Sequence, residues 1–193
     1  MSDLSIYTGT WTIDSVHSKI GFVARHALVS KVRGAFDIYE AIFVLDGANV
    51  TASTISFSAK AGSIDTGNEQ RDGHLKSADF LDVENFPTVD FKSTAITQTG
   101  DATFDLTGDL TIRGTTRPVT VKFEANGVAE AFGTTKAGFE GTATISRKEW
   151  GLVWNAPLET GGVLVSDNVN LVIEIEADKV VATADAETAS ASA

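Results

Sequence analysis

Apolar and polar residues alternate along most of the chain, with the period of two that is typical of β-strands with one buried face. In the first such segment, Phe22, Ala24 and His26 fall on one face, and Lys19 and Arg25 fall on the other. Similar alternation recurs over residues 54–60, 88–92, 104–112, 119–125, 137–145 and 171–176. The pattern predicts an all-β fold in which each strand is polar on one side.

Short turn signals separate these segments, at residues 46–47, 99–101, 113–115, 126–127 and 161–162. Consecutive strands joined by short turns predict a meander, and about eight strands with one continuous apolar face close into a barrel. Gly108, Gly141 and Ala143 lie on the apolar faces, which indicates either strong bending of the strands or room left for a ligand. We therefore predict a single antiparallel eight-stranded barrel of roughly the usual size.

One segment interrupts the alternation. Thr66 followed by Glu69 fits a helix-capping box. Residues 68–80 then show helical spacing, with Arg71 and His74 three positions apart on one face. A short helix is predicted here, as a cover over one end of the barrel.

The chain carries 26 acidic and 15 basic residues, a formal net charge of −11 at pH 7. Basic runs are at most two residues long, so nucleic-acid binding is not expected, and anionic membrane surfaces should repel the protein on average. Cysteine is absent, which excludes disulfides, cysteine metal sites and a cysteine nucleophile.

Domain organisation and location follow from the distribution of apolar residues. The longest strictly apolar run covers residues 41–45, whereas a membrane span needs roughly 18 such residues. Residues 1–7 show no basic region or apolar core of a secretory signal, so a cytoplasmic location is expected. One domain is predicted over residues 9–177, followed by a disordered tail over residues 178–193, which are small, polar and without aromatics.

The sequence motifs of common enzymes are absent. Neither G-x-S-x-G nor a glycine-rich phosphate-binding loop occurs, so no catalysis and no cofactor are expected. His17, His26 and His74 invite a metal site, but an intervening strand would place the first two roughly 30 Å apart. His26 and His74 could meet in the fold, yet they show no diagnostic ligand spacing, so no metal is expected.

Five motifs occur in order along the chain: W-T-I-D-S-V-H-S-K-I-G-F from residue 11, S-I-D-T-G-N-E-Q-R-D-G-H-L-K-S-A-D-F from residue 63, F-P-T-V-D-F-K-S-T from residue 86, G-D-L-T-I-R-G-T-T-R-P-V from residue 108, and I-S-R-K-E-W-G-L from residue 145. Together they resemble the YceI-like family of lipocalin-like, polyisoprenoid-binding β-barrel proteins. The resemblance covers residues 9–177.

This resemblance implies an elongated, eight-stranded lipocalin-like barrel with a short helical segment, often dimeric. It also implies a long interior cavity for an isoprenoid, such as an isoprenoid quinone, or for another long-chain amphiphile. The expected partners are therefore a non-covalently bound lipid and a second copy of the chain. The resemblance brings no established catalytic mechanism.

The alternating apolar faces are expected to line the tunnel for such a ligand, at Phe22, Ala24, Phe36, Phe57, Phe91, Leu110, Val121, Phe123, Phe139, Ala143 and Ile145. His26, Arg71 and His74 are expected near the polar end, because a guanidinium holds an anionic head group well and a histidine on an apolar face needs a partner. Other interpretations stay open: histidines hydrogen-bonded in loops, Arg71 tethering the helix by ion pairs, and aromatic residues that form a solid core.

The function that we expect from the sequence is binding, sequestration or transport of a polyisoprenoid or similar lipid. Burial of an apolar tail is favourable by ~0.8 kcal/mol per CH₂ group. One alternative is an enzyme acting on a lipid or small apolar substrate, with Arg71, Asp72 and His74 as its polar centre. Another is a ligand-free stress or structural protein.

Overall fold

The computed structural model describes residues 3–159 and 161–181, which form eleven β-strands and one α-helix, with short 3-10 turns between them. The strands are β1 (Gly9–Ile13), β2 (Lys19–His26), β3 (Ser30–Phe36), β4 (Tyr39–Leu45), β5 (Thr54–Lys60), β6 (Ile64–Asp65), β7 (Thr88–Gln98), β8 (Thr103–Ile112), β9 (Thr115–Ala131), β10 (Thr134–Ser146) and β11 (Val165–Lys179). The helix α1 covers Glu69–Lys76.

The strands form one antiparallel sheet that closes on itself. Their order is β1-β4-β5-β7-β8-β9-β10-β11, and β11 pairs back to β1 to complete the ring. Strands β2, β3 and β6 continue from β11 in the same sheet. Every pairing is antiparallel, and the result is an eight-stranded closed barrel with one short helix, which confirms the predicted fold class.

Three neighbouring strands of the barrel are each interrupted. Strand β11 pairs with β2 through its first ten residues and with β1 at its end, so β1 and β2 are two halves of one barrel strand. Likewise β4 continues β3, and β6 continues β5. The inward parity of the apolar residues changes at each break, for example from Ile13 in β1 to Ile20 in β2, which both line the interior.

Side chains bridge the interruptions. The Ser18 hydroxyl donates to the Glu176 carbonyl (3.0 Å) and accepts from the Glu176 amide (2.9 Å). The Tyr39 hydroxyl donates to the Ser18 carbonyl at 2.7 Å, and the Ser63 hydroxyl accepts from the Ile38 amide at 3.1 Å. Backbone groups that leave the ladder at the breaks are therefore satisfied by hydroxyls.

The interior contains two packed clusters, one toward each end of the barrel. The mouth-end cluster, beside α1, includes Trp150, Leu110 and Ile145, and the far-end cluster includes Trp11 and Phe43. Phe123 and Ile173 contact both clusters, so the two belong to one interior. Each fully buried indole donates its N–H, Trp11 to the Tyr7 carbonyl at 2.7 Å and Trp150 to the Leu110 carbonyl at 3.0 Å.

Helix α1 begins differently from the sequence prediction. Its N-cap is Asn68, whose side chain accepts from the Arg71 amide at 2.9 Å, and the helix ends at Lys76. Thr66 is therefore not the N-cap; its hydroxyl bonds the Asp72 carboxylate at 2.5 Å. The capping-box interpretation was wrong because a stronger cap lies two residues further on.

The end of the described chain also differs from expectation. Strand β11 continues through Asp178 and Lys179, which pair with Thr12 and Trp11 of β1, so these two residues belong to the barrel and not to a tail. The predicted disorder of residues 182–193 lies outside the described residues. Within residues 3–159 and 161–181, the helices are too short and too polar to cross a membrane.

Candidate functional site

The barrel encloses an apolar cavity of about 220 Å³. Its walls are aliphatic and aromatic side chains from both clusters, and Leu75, Phe80 and Leu81 of the α1 region cover its mouth end. Nine of the predicted tunnel residues line it: Phe22, Ala24, Phe36, Phe57, Phe91, Leu110, Val121, Phe123 and Ile145. The interior is therefore hollow at its centre and not packed solid.

A second, smaller apolar cavity of about 80 Å³ lies at the far end. Leu4 and Tyr7, from the 3-10 turn before β1, close it from outside, and Phe139 forms part of its wall. The two cavities share Phe43, Ile55, Leu106 and Phe123 as lining residues, so these side chains stand between them. Ala143 lines neither cavity and packs against the mouth-end cluster instead, so its predicted place in the tunnel wall is corrected.

Two interior glycines make room for aromatic rings. A Cβ on Gly141 would lie 2.7 Å from the Phe123 ring, and a Cβ on Gly108 would lie 2.3 Å from the Phe91 ring. The strands therefore need glycine here so that a ring can lie flat against the backbone of its neighbour. Of the two sequence interpretations for these positions, space for a ligand does not apply, because phenylalanine side chains fill it.

The mouth cavity, of about 550 Å³, adjoins the central one and is bordered by all three residues expected at the polar end, His26, Arg71 and His74. It shares Phe22, Ala24, Leu75, Phe80 and Val165 with the central cavity. Strand β2 brings His26 to this rim and α1 brings the other two. The structure thus places the predicted polar residues together at the opening of the apolar interior.

Thr66 organises the polar groups of α1. The Arg71 guanidinium donates through Nε to the Thr66 hydroxyl at 2.7 Å and through Nη2 to the Thr66 carbonyl at 3.0 Å. The buried Asp72 carboxylate accepts from both the hydroxyl and the amide of Thr66. Desolvation acts to raise the pKa of Asp72, but these hydrogen bonds outweigh it, and its pKa lies below the usual value. Arg71 and Asp72 thus both tie helix α1 to Thr66, in the loop that precedes it.

His74 belongs to an aromatic group on the rim. Its ring packs edge-on against Trp154, with centroids 4.5 Å apart, and against Phe80 at 5.0 Å. Its Nε2 lies 2.9 Å from the Asp79 carboxylate. Arg71 and Asp72 therefore bond to Thr66, and His74 bonds to Asp79. These contacts hold the rim of the cavity in place and do not join the three residues into a catalytic relay.

The sequence analysis missed Arg147, a buried cation that lines the central cavity. Its guanidinium donates to the carbonyls of Leu152, Val165 and Ser166, which holds the segment after β10 against the start of β11. Burial lowers its pKa, and the nearby Asp167 carboxylate acts in the opposite direction. Strand parity offered a signal, because Arg147 lies two residues after the inward-facing Ile145.

A group of possible metal ligands lies outside the barrel at the β1–β2 break. One ligand atom from each of Asp14, His17 and Glu176 lies within 4.8 Å of the others. The Lys136 ammonium contacts Asp14 at 3.1 Å, Glu176 at 2.9 Å and Asp178 at 2.7 Å, so it already supplies a cation to these carboxylates. The arrangement is explained as an ion-pair network. His17 takes part in it, whereas His26 and His74 lie at the mouth.

Comparison with known protein families adds to this geometry. The model of the YceI-like domain matches residues 11–177, which is nearly the whole barrel. The chain belongs to the YceI-like family. A UPF0312 protein of Ectopseudomonas mendocina is 37% identical over 162 residues, covering 83% of this chain and 81% of the relative. The family match over residues 11–177 includes both barrel ends, so it covers the central cavity and its rim.

Solved structures share the YceI-like barrel. BcnA of Burkholderia cenocepacia superimposes with a TM-score of 0.73 at 25% identity, covering 85% of this chain and 98% of BcnA. A polyisoprenoid-binding domain from Saccharophagus degradans superimposes with a TM-score of 0.67 at 13% identity, covering 88% of this chain and 98% of that domain. At that low identity the second comparison concerns the fold alone.

Proposed function

We propose that this protein binds a long-chain isoprenoid or similar amphiphilic lipid inside the barrel and sequesters or carries it. The observation that carries the proposal is the row of adjoining apolar cavities, which runs from the mouth at His26 and Arg71 to the far end at Tyr7. An apolar chain gains ~0.8 kcal/mol per CH₂ group that leaves water for such a surface. The Saccharophagus degradans domain, which shares the fold and binds polyisoprenoids, adds support.

The sizes of the cavities indicate how the ligand lies. The central cavity of about 220 Å³ is smaller than the ~300–1,000 Å³ that ligand pockets usually occupy. A long chain therefore fills the central cavity and continues into the mouth cavity of about 550 Å³. Its polar end lies toward the rim, where water and polar side chains are available.

The arrangement at the mouth favours binding over catalysis. Arg71 and Asp72 are held by Thr66, and His74 is held by Asp79 and two aromatic rings. A general acid or base needs its proton within reach of a substrate atom, whereas these groups are directed at other protein groups. We accordingly propose that the mouth positions a head group and performs no reaction on it.

The test compares two alanines of the interior. Ala24 lines both the central and the mouth cavity, whereas Ala143 lines neither the central nor the far-end cavity. Ala24→Trp should fill cavity space and reduce binding of a long isoprenoid alcohol by about tenfold or more, with a small change in Tm. Ala143→Trp should overpack the mouth-end cluster and destabilise the protein by ~1–3 kcal/mol.

Binding is measured by native mass spectrometry of the purified protein with added isoprenoid alcohol, and by solvent extraction of lipid retained during purification. Unchanged binding by a stable Ala24→Trp variant would place the ligand elsewhere. Turnover of the added alcohol without its retention would favour the enzyme alternative. Neither retention nor turnover by the unsubstituted protein would favour a ligand-free role.

A further inference from the structure

The β2–β3 hairpin has a charge unlike that of the rest of the molecule. Residues 15–36 include Lys19, Arg25, Lys31 and Arg33 and no acidic residue, in a chain with 26 acids and a net charge of −11. Such a local excess of one sign is an electrostatic feature in its own right. At physiological salt the field of a charge falls off over ~8 Å, so acids at the far end of the barrel act only weakly at this hairpin.

Three of these cations share one outer surface. Arg25 pairs directly with Lys31, and Arg33 lies two residues further along β3, opposite Val23. All three are exposed, and among the described residues none forms an ion pair within 4.0 Å. The hairpin therefore presents free positive charge to the solvent.

The tip of the hairpin is apolar and conformationally costly. Ala27 and Leu28 both have left-handed backbone angles, φ 50° and 59°, and the Val29 amide donates to the His26 carbonyl at 3.0 Å. Such turns favour Asn-Gly, because other residues lose about 1–2 kcal/mol in the left-handed region. Leu28 and Val29 are nonetheless 63% and 85% exposed. Folding alone does not account for large apolar residues at this turn.

This tip stands beside the mouth of the cavity. His26, directly before the turn, lines the mouth cavity, and the Ala27 amide donates to the Leu164 carbonyl at 2.7 Å. Val163, next to Leu164, is 44% exposed. Two neighbouring segments thus carry exposed apolar side chains beside the place where a lipid would pass in or out.

The opposite end of the barrel provides a contrast. The β9–β10 turn also exposes an apolar residue with a left-handed backbone, Phe132, at φ 53°. Glu130 lies on β9, and Asp178 of β11 forms an ion pair with Lys136 of β10 at 2.7 Å. The charges that accompany this turn are therefore mixed and partly paired, unlike the three cations of the β2–β3 hairpin, which form no ion pair with the described residues.

We propose that the β2–β3 hairpin is a docking surface for an anionic lipid bilayer. Leu28, Val29 and Val163 enter the interfacial region, and Arg25, Lys31 and Arg33 contact anionic head groups. Interfacial binding of this kind combines buried apolar area with electrostatic attraction. Docking at this point would place the cavity mouth against the bilayer, so a ligand could move between membrane and barrel without crossing water.

The test uses flotation with vesicles of phosphatidylcholine alone and with equal parts of phosphatidylcholine and phosphatidylglycerol. The unsubstituted protein should bind the anionic vesicles at least about tenfold more strongly than the neutral ones, and added salt should weaken this binding. The double variant Leu28→Asp with Val29→Asp should lose most of the binding. Arg25→Gln with Lys31→Gln should lose the preference for anionic vesicles.

Two variants separate docking from folding. Ala27→Asn with Leu28→Gly supplies the residues that this turn favours, so it should keep or raise the Tm and still weaken vesicle binding. Phe132→Asp changes the exposed turn at the opposite end of the barrel and should leave vesicle binding unchanged. Equal losses from Phe132→Asp, full binding by the Leu28–Val29 double variant, or no binding to anionic vesicles by the unsubstituted protein would each overturn the proposal.

The outcome is independent of the proposed lipid cargo. Binding of isoprenoid alcohol in solution, measured without vesicles, should be unchanged in the Leu28–Val29 double variant, so a failure of cargo binding and a failure of docking are distinguishable. Light scattering completes the test. A dimer that becomes a monomer in the double variant would assign the tip to a second copy of the chain and overturn the assignment to a bilayer.

Discussion

Arg147 carries a buried positive charge at the wall of an otherwise apolar cavity. Its guanidinium is satisfied by the carbonyl of Leu152, after β10, and by those of Val165 and Ser166, at the start of β11. A charge removed from water needs such partners, because an unsatisfied buried charge costs several kcal/mol. Arg147 thus supplies hydrogen-bond donors to backbone carbonyls of a region that makes few sheet hydrogen bonds of its own.

Replacement of Arg147 by Met should destabilise the protein by about 2–4 kcal/mol, because three carbonyls lose their donor while the buried methylene groups remain. For a domain of this size that corresponds to a fall in Tm of roughly 2–4 °C per kcal/mol. Lys148→Met is the matched control, since Lys148 is its exposed neighbour, and should change the Tm little. Equal Tm values for the two variants would show that the carbonyl contacts do not stabilise the fold.

The Asp14–His17 pair gives stability a pH dependence. A hydrogen bond that the His17 ring donates to the Asp14 carboxylate raises the pKa of His17. The same hydrogen bond, together with the contact to Lys136, holds the pKa of Asp14 well below its usual range. The folded protein therefore binds the His17 proton more tightly than the unfolded chain does. This contribution is fully present below the ordinary histidine pKa of about 6.5 and is lost as the pH rises through the raised value.

Thermal unfolding from about pH 6 to about pH 9 should therefore show a His17-dependent loss of Tm as the pH rises. His17→Asn should reduce that slope. The Asp14 contribution has the opposite sense, since it is present above about pH 4 and lost as the pH falls through its lowered pKa. A pH slope that survives in His17→Asn would assign the dependence to other groups.

At the scale of elements, glycines on the apolar faces shape the cavity by admitting rings. Phe123 packs against Gly141 and stands between the central and far-end cavities. Sequence parity correctly placed both residues on one apolar face. It could not show that the space at Gly141 belongs to a ring of the neighbouring strand, because that depends on strand register.

Gly141→Ala should force the Phe123 ring to move, since the new Cβ would lie 2.7 Å from it. We expect a loss of about 1–3 kcal/mol in the free energy of unfolding from this overpacking. Gly138→Ala on the same strand is the control, because the nearest atom to its Cβ is 3.5 Å away. Denaturant unfolding of both variants measures the difference, and a more stable Gly141→Ala would contradict the ring-packing interpretation.

The helix illustrates why element ends are harder to predict than elements. The sequence contains both a Thr-x-x-Glu box and an Asn directly before Glu69, and both are good caps. The chain uses Asn68, which is the stronger cap, and Thr66 is engaged with Asp72 and Arg71. The contacts of Thr66 involve a buried carboxylate, which local sequence rules do not consider.

At the scale of the whole molecule, the alternation of apolar residues predicted antiparallel strands with one apolar face, and the resemblance to the YceI-like family implied that eight of them close into a barrel. The alternation was enough to choose most residues of the cavity wall, because parity and closure together decide which side chains face inward. The cavity's size and the pairing of Asp178 with β1 depend on three-dimensional packing across strands. These features lie beyond what a one-dimensional pattern specifies.

The three interrupted strands have a consequence for the dynamics of the barrel. On that side the two halves are joined by hydroxyl bridges at Ser18, Tyr39 and Ser63 and not by a continuous ladder. Native-state hydrogen exchange should therefore divide the molecule into two cooperative units, with β2 and β3 exchanging at lower opening free energy than β9 and β10. Tyr39→Phe should widen the gap between the two units, whereas Thr111→Val, which removes a cross-strand hydroxyl contact on the intact side, should not.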